Sequence, residues 1–251
     1  MIRFTSVSEH VRPILAAIRT VPLSPREHED QASPPIPFVT LSREPGTGAP
    51  ALAESLASAL NELDPAEQPW TCWDRELVEK VSADHHLSQR LVESLQEREH
   101  SWLSDFFAGI GGSDSPDHAD EPRIFRGVAT TVQALASTGR VIIVGRGGVF
   151  LTRRLPGGVH IRLVAPLEFR IERYAKLRQI SSRAAADELR EITRRREAFY
   201  RRYWPGEPIR PELFHAMINV ARVSQQTIVQ MVVALVKEAK AAASRGRSAL
   251  T

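Results

Sequence analysis

The apolar and polar positions divide the chain near residue 37. Before it, one short helix is possible over residues 8–19. Six of the 17 prolines (Pro13, Pro22, Pro25, Pro34, Pro35 and Pro37) interrupt what remains. Proline lacks the amide donor and clashes with the preceding turn, so residues 21–37 are excluded from a long helix or a central strand. Residues 1–37 are expected to form an extended, semi-rigid appendage with the potential to hold a partner. From Phe38 the pattern is strand-like: Phe38-Val39-Thr40-Leu41-Ser42 is a short apolar run of the buried kind. A glycine-bearing turn, Arg43 to Ala49, follows. Residues 50–60 then repeat with helical period, Leu52, Ala53, Leu56 and Leu60 on one face and Pro50 in the first turn, where proline is tolerated.

The alternation continues. Residues 70–73 predict a strand, and Asp74 an N-cap for a helix through residue 81. Helical stretches are expected at 88–96 and 101–107, a glycine- and acid-rich loop at 109–121, and a helix at 123–137. Val141-Ile142-Ile143-Val144 is an uninterrupted β-branched run, typical of a strand covered on both faces of a parallel sheet. It runs into Gly145-Arg146-Gly147-Gly148. A strand at 159–164, helices at 166–177 and 181–203, a strand at 216–220 and a helix at 224–242 complete the pattern, with residues 243–251 expected to fray. Strands alternating with helices predict an α/β fold: a parallel sheet covered by helices on both faces, with a helical insert at about 74–137.

Composition changes this picture in few places. With 251 residues, 42% hydrophobic and 25% charged, the chain is ordinary for one globular domain of residues 38–242 with an appendage. The longest apolar stretch, residues 228–236, is far below the ~20 residues of a membrane span. No apolar run follows Arg3, so no secretory leader is expected. The single cysteine, Cys72, excludes a disulfide framework and a cysteine-rich zinc site, and a cytoplasmic location is the expectation. Of 33 basic residues only Lys80, Lys176, Lys237 and Lys240 are lysines. The rest are arginines, whose planar fork of donors suits phosphate.

Two loops at strand ends carry candidate chemistry, since ligands of parallel sheets collect at the carboxyl ends of strands. In the first, the amides of Gly46, Thr47, Gly48 and Ala49 precede a helix N-terminus and offer a phosphate cradle, with Arg43 at its start. Against the pattern G-x-x-x-x-G-K-[ST], Arg43 takes the place of the first glycine, Ala49 of the lysine and Pro50 of the hydroxyl residue. The second loop places Arg146, a bidentate phosphate donor, among glycines. The tryptophans read as core or loop anchors, and His85, His86 and His100 as surface residues. No metal-ligand constellation is present.

Taken in order, six segments resemble the cytidylate kinase-like family, a branch of the nucleoside monophosphate kinases. Val39 to Gly48 is similar to that family's T-I-S-R-x-x-G-S-G-G opening. Asp74-Arg75-Glu76-Leu77-Val78 resembles D-R-E-L-I, and Val141 to Gly148 resembles V-I-V-G-R-G-A. His160 to Arg173, Tyr200 to Trp204 and Ile218 to Ser224 extend the likeness. The resemblance implies a P-loop kinase-type fold and transfer of the γ-phosphoryl group of ATP to CMP or a related nucleoside monophosphate, with Mg2+. It implies donor-nucleotide contacts at Arg43, Gly46, Thr47, Gly48 and Ala49, and acceptor contacts at Asp74, Arg75 and Arg146. It further implies a lid at about 181–204 whose Arg194, Arg195, Arg196 and Arg201 act on the transferring group. The chain departs from the family at Pro50, a usual arginine, and in the lid, where Arg194 replaces an acid and Glu197 an arginine. His215 stands at a usual aspartate and Val220 at a usual threonine. A nucleotide-binding or regulatory protein of the same fold that has lost phosphoryl transfer is therefore an alternative. Nucleic-acid contact through the arginine-rich helix is a second, not favoured by the small net charge of +3.

Overall fold

The computed structural model describes residues 35–66, 68–74, 78 and 120–248. Five strands are bounded at Phe38–Arg43 (β1), Thr71–Asp74 (β2), Val141–Val144 (β3), Gly158–Val164 (β4) and Ala216–Asn219 (β5). All pairings are parallel, in the order β2-β3-β1-β4-β5. Helices run over Ala49–Leu63 (α1), Asp120–Thr138 (α2), Gly148–Thr152 (α3), Leu167–Arg178 (α4), Ser182–Tyr203 (α5) and Gln225–Ser248 (α6). The arrangement is the α/β fold with a helix-covered parallel sheet that the alternation of the sequence predicts.

Strand side chains alternate between two cores, as the two-residue period requires. Ile142 and Val144 pack with Leu52 and Leu56 of α1 and with Val232 of α6. Val141 and Ile143 face the opposite way, against Ala129 and Leu135 of α2 and Phe150 of α3. Burying each such aliphatic side chain contributes about 1.5–3 kcal/mol, which is why these strands need no polar face. The helices following the adjacent strands β1 and β3 therefore lie on opposite faces. Beyond the carboxyl ends of the two strands the chain leaves toward opposite faces, and a crevice opens there.

Boundaries differ from expectation by a residue or two at most elements, with three larger differences. The last helix does not end near residue 242 but continues to Ser248, because the alanine-rich turn after Lys240 favours helix. Asp120 and Glu121, expected in a loop, are helical. The five-residue α3 has no sequence signature long enough to announce it. Trp70, Trp73 and Trp204 are buried anchors. The helical stretches expected at 88–96 and 101–107, and all but the end of the appendage, lie outside the described residues. No helix among the described residues is long and apolar enough to cross a membrane.

Candidate functional site

The turn after β1 is fastened rather than loose. Glu44 Oε2 accepts the amide of Ala165 at 3.1 Å, and its carboxylate lies 3.4 Å from Arg170 Nε. Arg170 also donates to the carbonyls of Ala165 and Pro45. The Thr47 hydroxyl donates inward, to the Glu44 carbonyl at 2.9 Å. Gly46 and Gly48 have φ of 88° and 80°, and Gly48 is the N-cap of α1, so the turn requires glycine at both places. The space a side chain at Gly46 would need is taken by Arg170 of α4, and at Gly48 by the guanidinium of Arg173. The loop thus lies at a helix N-terminus, as expected, with a cation from α4 beside it that the sequence reading did not single out. Ala49, the first residue of α1, is buried.

The second loop opens onto a cavity of about 780 Å³. Its floor is the carboxyl edge of the sheet, with Arg43 ending β1, Asp74 ending β2, and Gly145 and Arg146 following β3. Arg196 enters from α5, its Nη1 donating to the Arg43 carbonyl at 2.6 Å. The Arg146 guanidinium lies over the Phe199 ring, 4.4 Å from its centroid. The loop is held by the same helix end: the Gly147 amide donates to the Tyr200 hydroxyl at 3.2 Å, and the Trp204 ring fills the space beside Gly147. That ring stacks on Phe150 of α3 at 4.9 Å. Gly145 alone among the described glycines of the two loops has open space where a side chain would begin.

The electrostatics are one-sided. Five arginines (Arg43, Arg146, Arg195, Arg196 and Arg202) and one carboxylate, Asp74, line the cavity among the described residues. Burial, and then the neighbouring charges of Arg43 and Arg146, push the Arg196 guanidinium down to about 10. Arg43 is lowered too, by burial first, with Tyr200 and Asp74 opposing the effect and Arg146 adding to it. Guanidiniums that depress one another at a sheet edge are relieved by an anion.

The residues named from the sequence separate accordingly. Arg43, Asp74, Arg146 and Arg196 come together in the cavity, and Arg195 lines it while bonded to Glu191 at 2.7 Å. Arg194 also bonds Glu191 and is exposed, and Arg201 lies 4.0 Å from Glu197 on the exposed face. Arg75 lies outside the described residues. Arg43, expected to contact the donor nucleotide, lines the cavity. Among the described residues no three His, Cys, Asp or Glu side chains cluster to hold a metal. Mg2+ takes most of its ligands from water and phosphate and needs only one or two carboxylates; Asp74 fits that part. The cavity wall of Ile124, Val128 and Phe199 went unnoticed in the sequence, where the apolar period of α2 reads simply as core.

Residues 38–222 match the sequence model of the Cytidylate kinase-like family. A uronate isomerase from Corynebacterium glutamicum is 30% identical over 92 residues, 37% of this chain; the aligned stretch spans only 18% of that protein. An uncharacterized protein from Eubacterium ventriosum ATCC 27560 has the same fold, with a TM-score of 0.61 at 14% identity, over 80% of this chain and 98% of that one. Shikimate kinase from Acinetobacter baumannii in complex with shikimate is a looser likeness, with a TM-score of 0.41 at 14% identity over 81% of this chain and 94% of the other.

Proposed function

Because the chain belongs to the cytidylate kinase-like family, we propose that it is a phosphotransferase moving the γ-phosphoryl group of ATP to CMP or a related nucleoside monophosphate. The observation that carries this reading is the convergence of Arg43, Arg146 and Arg196 on one cavity at the carboxyl ends of β1 and β3, where the Arg43 and Arg196 guanidiniums are both lowered. A phosphate monoester is an acceptor whose oxygen is already ionised near neutral pH, so no general base is required. Positioning and charge stabilisation carry such a transfer. Arg43, Arg146 and Arg196 would hold the acceptor's phosphate, and Arg195, at the cavity edge, would face the transferring group. The donor's phosphates would lie on the Gly46–Gly48 turn with Arg173 as the nearest cation, in the absence of a lysine at Ala49. Asp74 would help to hold Mg2+, which would supply neutralisation of the donor's phosphate charge.

A coupled ADP-release assay with CMP, dCMP, UMP and AMP, with and without Mg2+, tests the reading. Turnover with at least one monophosphate, lost without the metal, is expected. The inward-turned Thr47 hydroxyl, Pro50, and Arg173 beside Gly48 favour one second reading: a protein that binds these nucleotides without transferring phosphate. Thermal stabilisation by CMP with no turnover on the whole panel would select it. No stabilisation and no turnover would end both.

A further inference from the structure

The cavity has two unlike halves. Arg43, Arg146 and Arg196 stand at its inner end, by the sheet edge, and Arg195 and Arg202 at its rim on α5. Its outer wall belongs to α2 and α5: Ile124 and Val128 lie one turn apart on α2, and Phe199 faces the same space from α5. Ile124 is 57% exposed, so it serves the core little, yet it continues the apolar row of Val128 into the cavity rim. Beyond the arginines, the polar side chains among the described lining residues are Asp74, Tyr203 and Trp73, whose indole N–H is already given to the Thr71 hydroxyl. A flat or aliphatic body against such a wall gains in proportion to the area it covers. A hydrogen-bonding edge laid there would lose water partners without replacement.

We infer that the acceptor is gripped at two places: its anion by Arg43, Arg146 and Arg196, and an apolar face of its organic part by Ile124, Val128 and Phe199. The shape of that organic part then contributes to selection, and aryl or alkyl monophosphates belong to the ligand class. This inference rests on the reading of the cavity as the acceptor site.

The test is calorimetric titration of the full chain with inorganic phosphate, phenyl phosphate and CMP. Phenyl phosphate keeps the dianion and a flat apolar body but has neither ribose nor base edge. It is expected to bind about ten-fold tighter than inorganic phosphate, the order given by covering one face of a ring. Ile124→Ser is expected to weaken phenyl phosphate and CMP by about three- to five-fold and inorganic phosphate much less. Val128→Thr, which keeps the shape and adds a hydroxyl, repeats that order if the serine variant is unstable. Phenyl phosphate no tighter than inorganic phosphate, while CMP binds well, overturns the inference and leaves the acceptor reading standing. Equal weakening of all three ligands by both variants also overturns it, since the side chains would then act through the fold. Failure of all three ligands to bind overturns the acceptor reading as well.

Discussion

Replacing Arg196 with methionine removes a charge while keeping most of the side chain's length. The guanidinium sits at about 10 rather than its usual 12.5, through burial and the nearby Arg43 and Arg146. At about 1.4 kcal/mol per unit, holding it charged in the folded protein costs roughly 3.5 kcal/mol. Its hydrogen bond to the Arg43 carbonyl offsets about 1.5–3 kcal/mol of that, as bonds to charged groups do. Arg196→Met is therefore expected to leave the unliganded protein as stable as before, or to stabilise it by up to about 2 kcal/mol. For a chain of this size that is an increase in Tm of up to about 4–8 °C. The stabilisation that CMP or inorganic phosphate confers on the parent protein should disappear. Differential scanning calorimetry with and without ligand reads both quantities. A drop in Tm of several degrees with the ligand-induced shift retained would refute the argument, because Arg196 would then be an ordinary structural arginine.

Three further outcomes follow from the same geometry. Gly145→Ala adds a methyl that meets no atom of the described residues within 4 Å, so chemical denaturation should find stability within about 0.5 kcal/mol of the parent while affinity for CMP falls. Burial, and then the neighbouring His215, hold His160 down to about 4, with its Nδ1 on the Thr40 hydroxyl at 2.8 Å. The unfolded chain takes up that proton near pH 6.5 and the folded one near pH 4, so stability falls across that window as pH drops, by up to about 3 kcal/mol. Urea unfolding of the parent and His160→Gln at pH 7, 5.5 and 4 should show a steeper decline for the parent; parallel declines would remove the histidine from the account. Arg194→Ala and Arg201→Ala, which alter exposed i,i+3 and i,i+4 pairs, should leave CMP affinity nearly unchanged, in contrast to Arg146→Ala.

The framework was legible in the sequence because each strand is apolar throughout or alternates cleanly. Val141–Val144 could belong only to a sheet covered on both faces, and it does. Arg146 was legible because a guanidinium among glycines at a strand end has few other uses. Arg196 was visible only as one of four arginines. Nothing local distinguishes it from Arg194, and which side of α5 faces the cavity is decided by Phe199, Tyr203 and Trp204 packing on Phe125 and Phe150. Arg43 was read from its place beside the glycines; that it ends β1 at the cavity depends on where the strand stops, which the sequence pattern placed one residue earlier. The contact of Arg173 with Gly48 joins elements more than 100 residues apart, and no local pattern announces it.

The central claim is that the anion of the acceptor rests among Arg43, Arg146 and Arg196. A crystal structure of the protein with CMP tests it most directly. The account predicts the phosphate at the carboxyl ends of β1 and β3, within hydrogen-bonding distance of those guanidiniums. A phosphate bound elsewhere, with the three arginines turned away from it, would contradict the account.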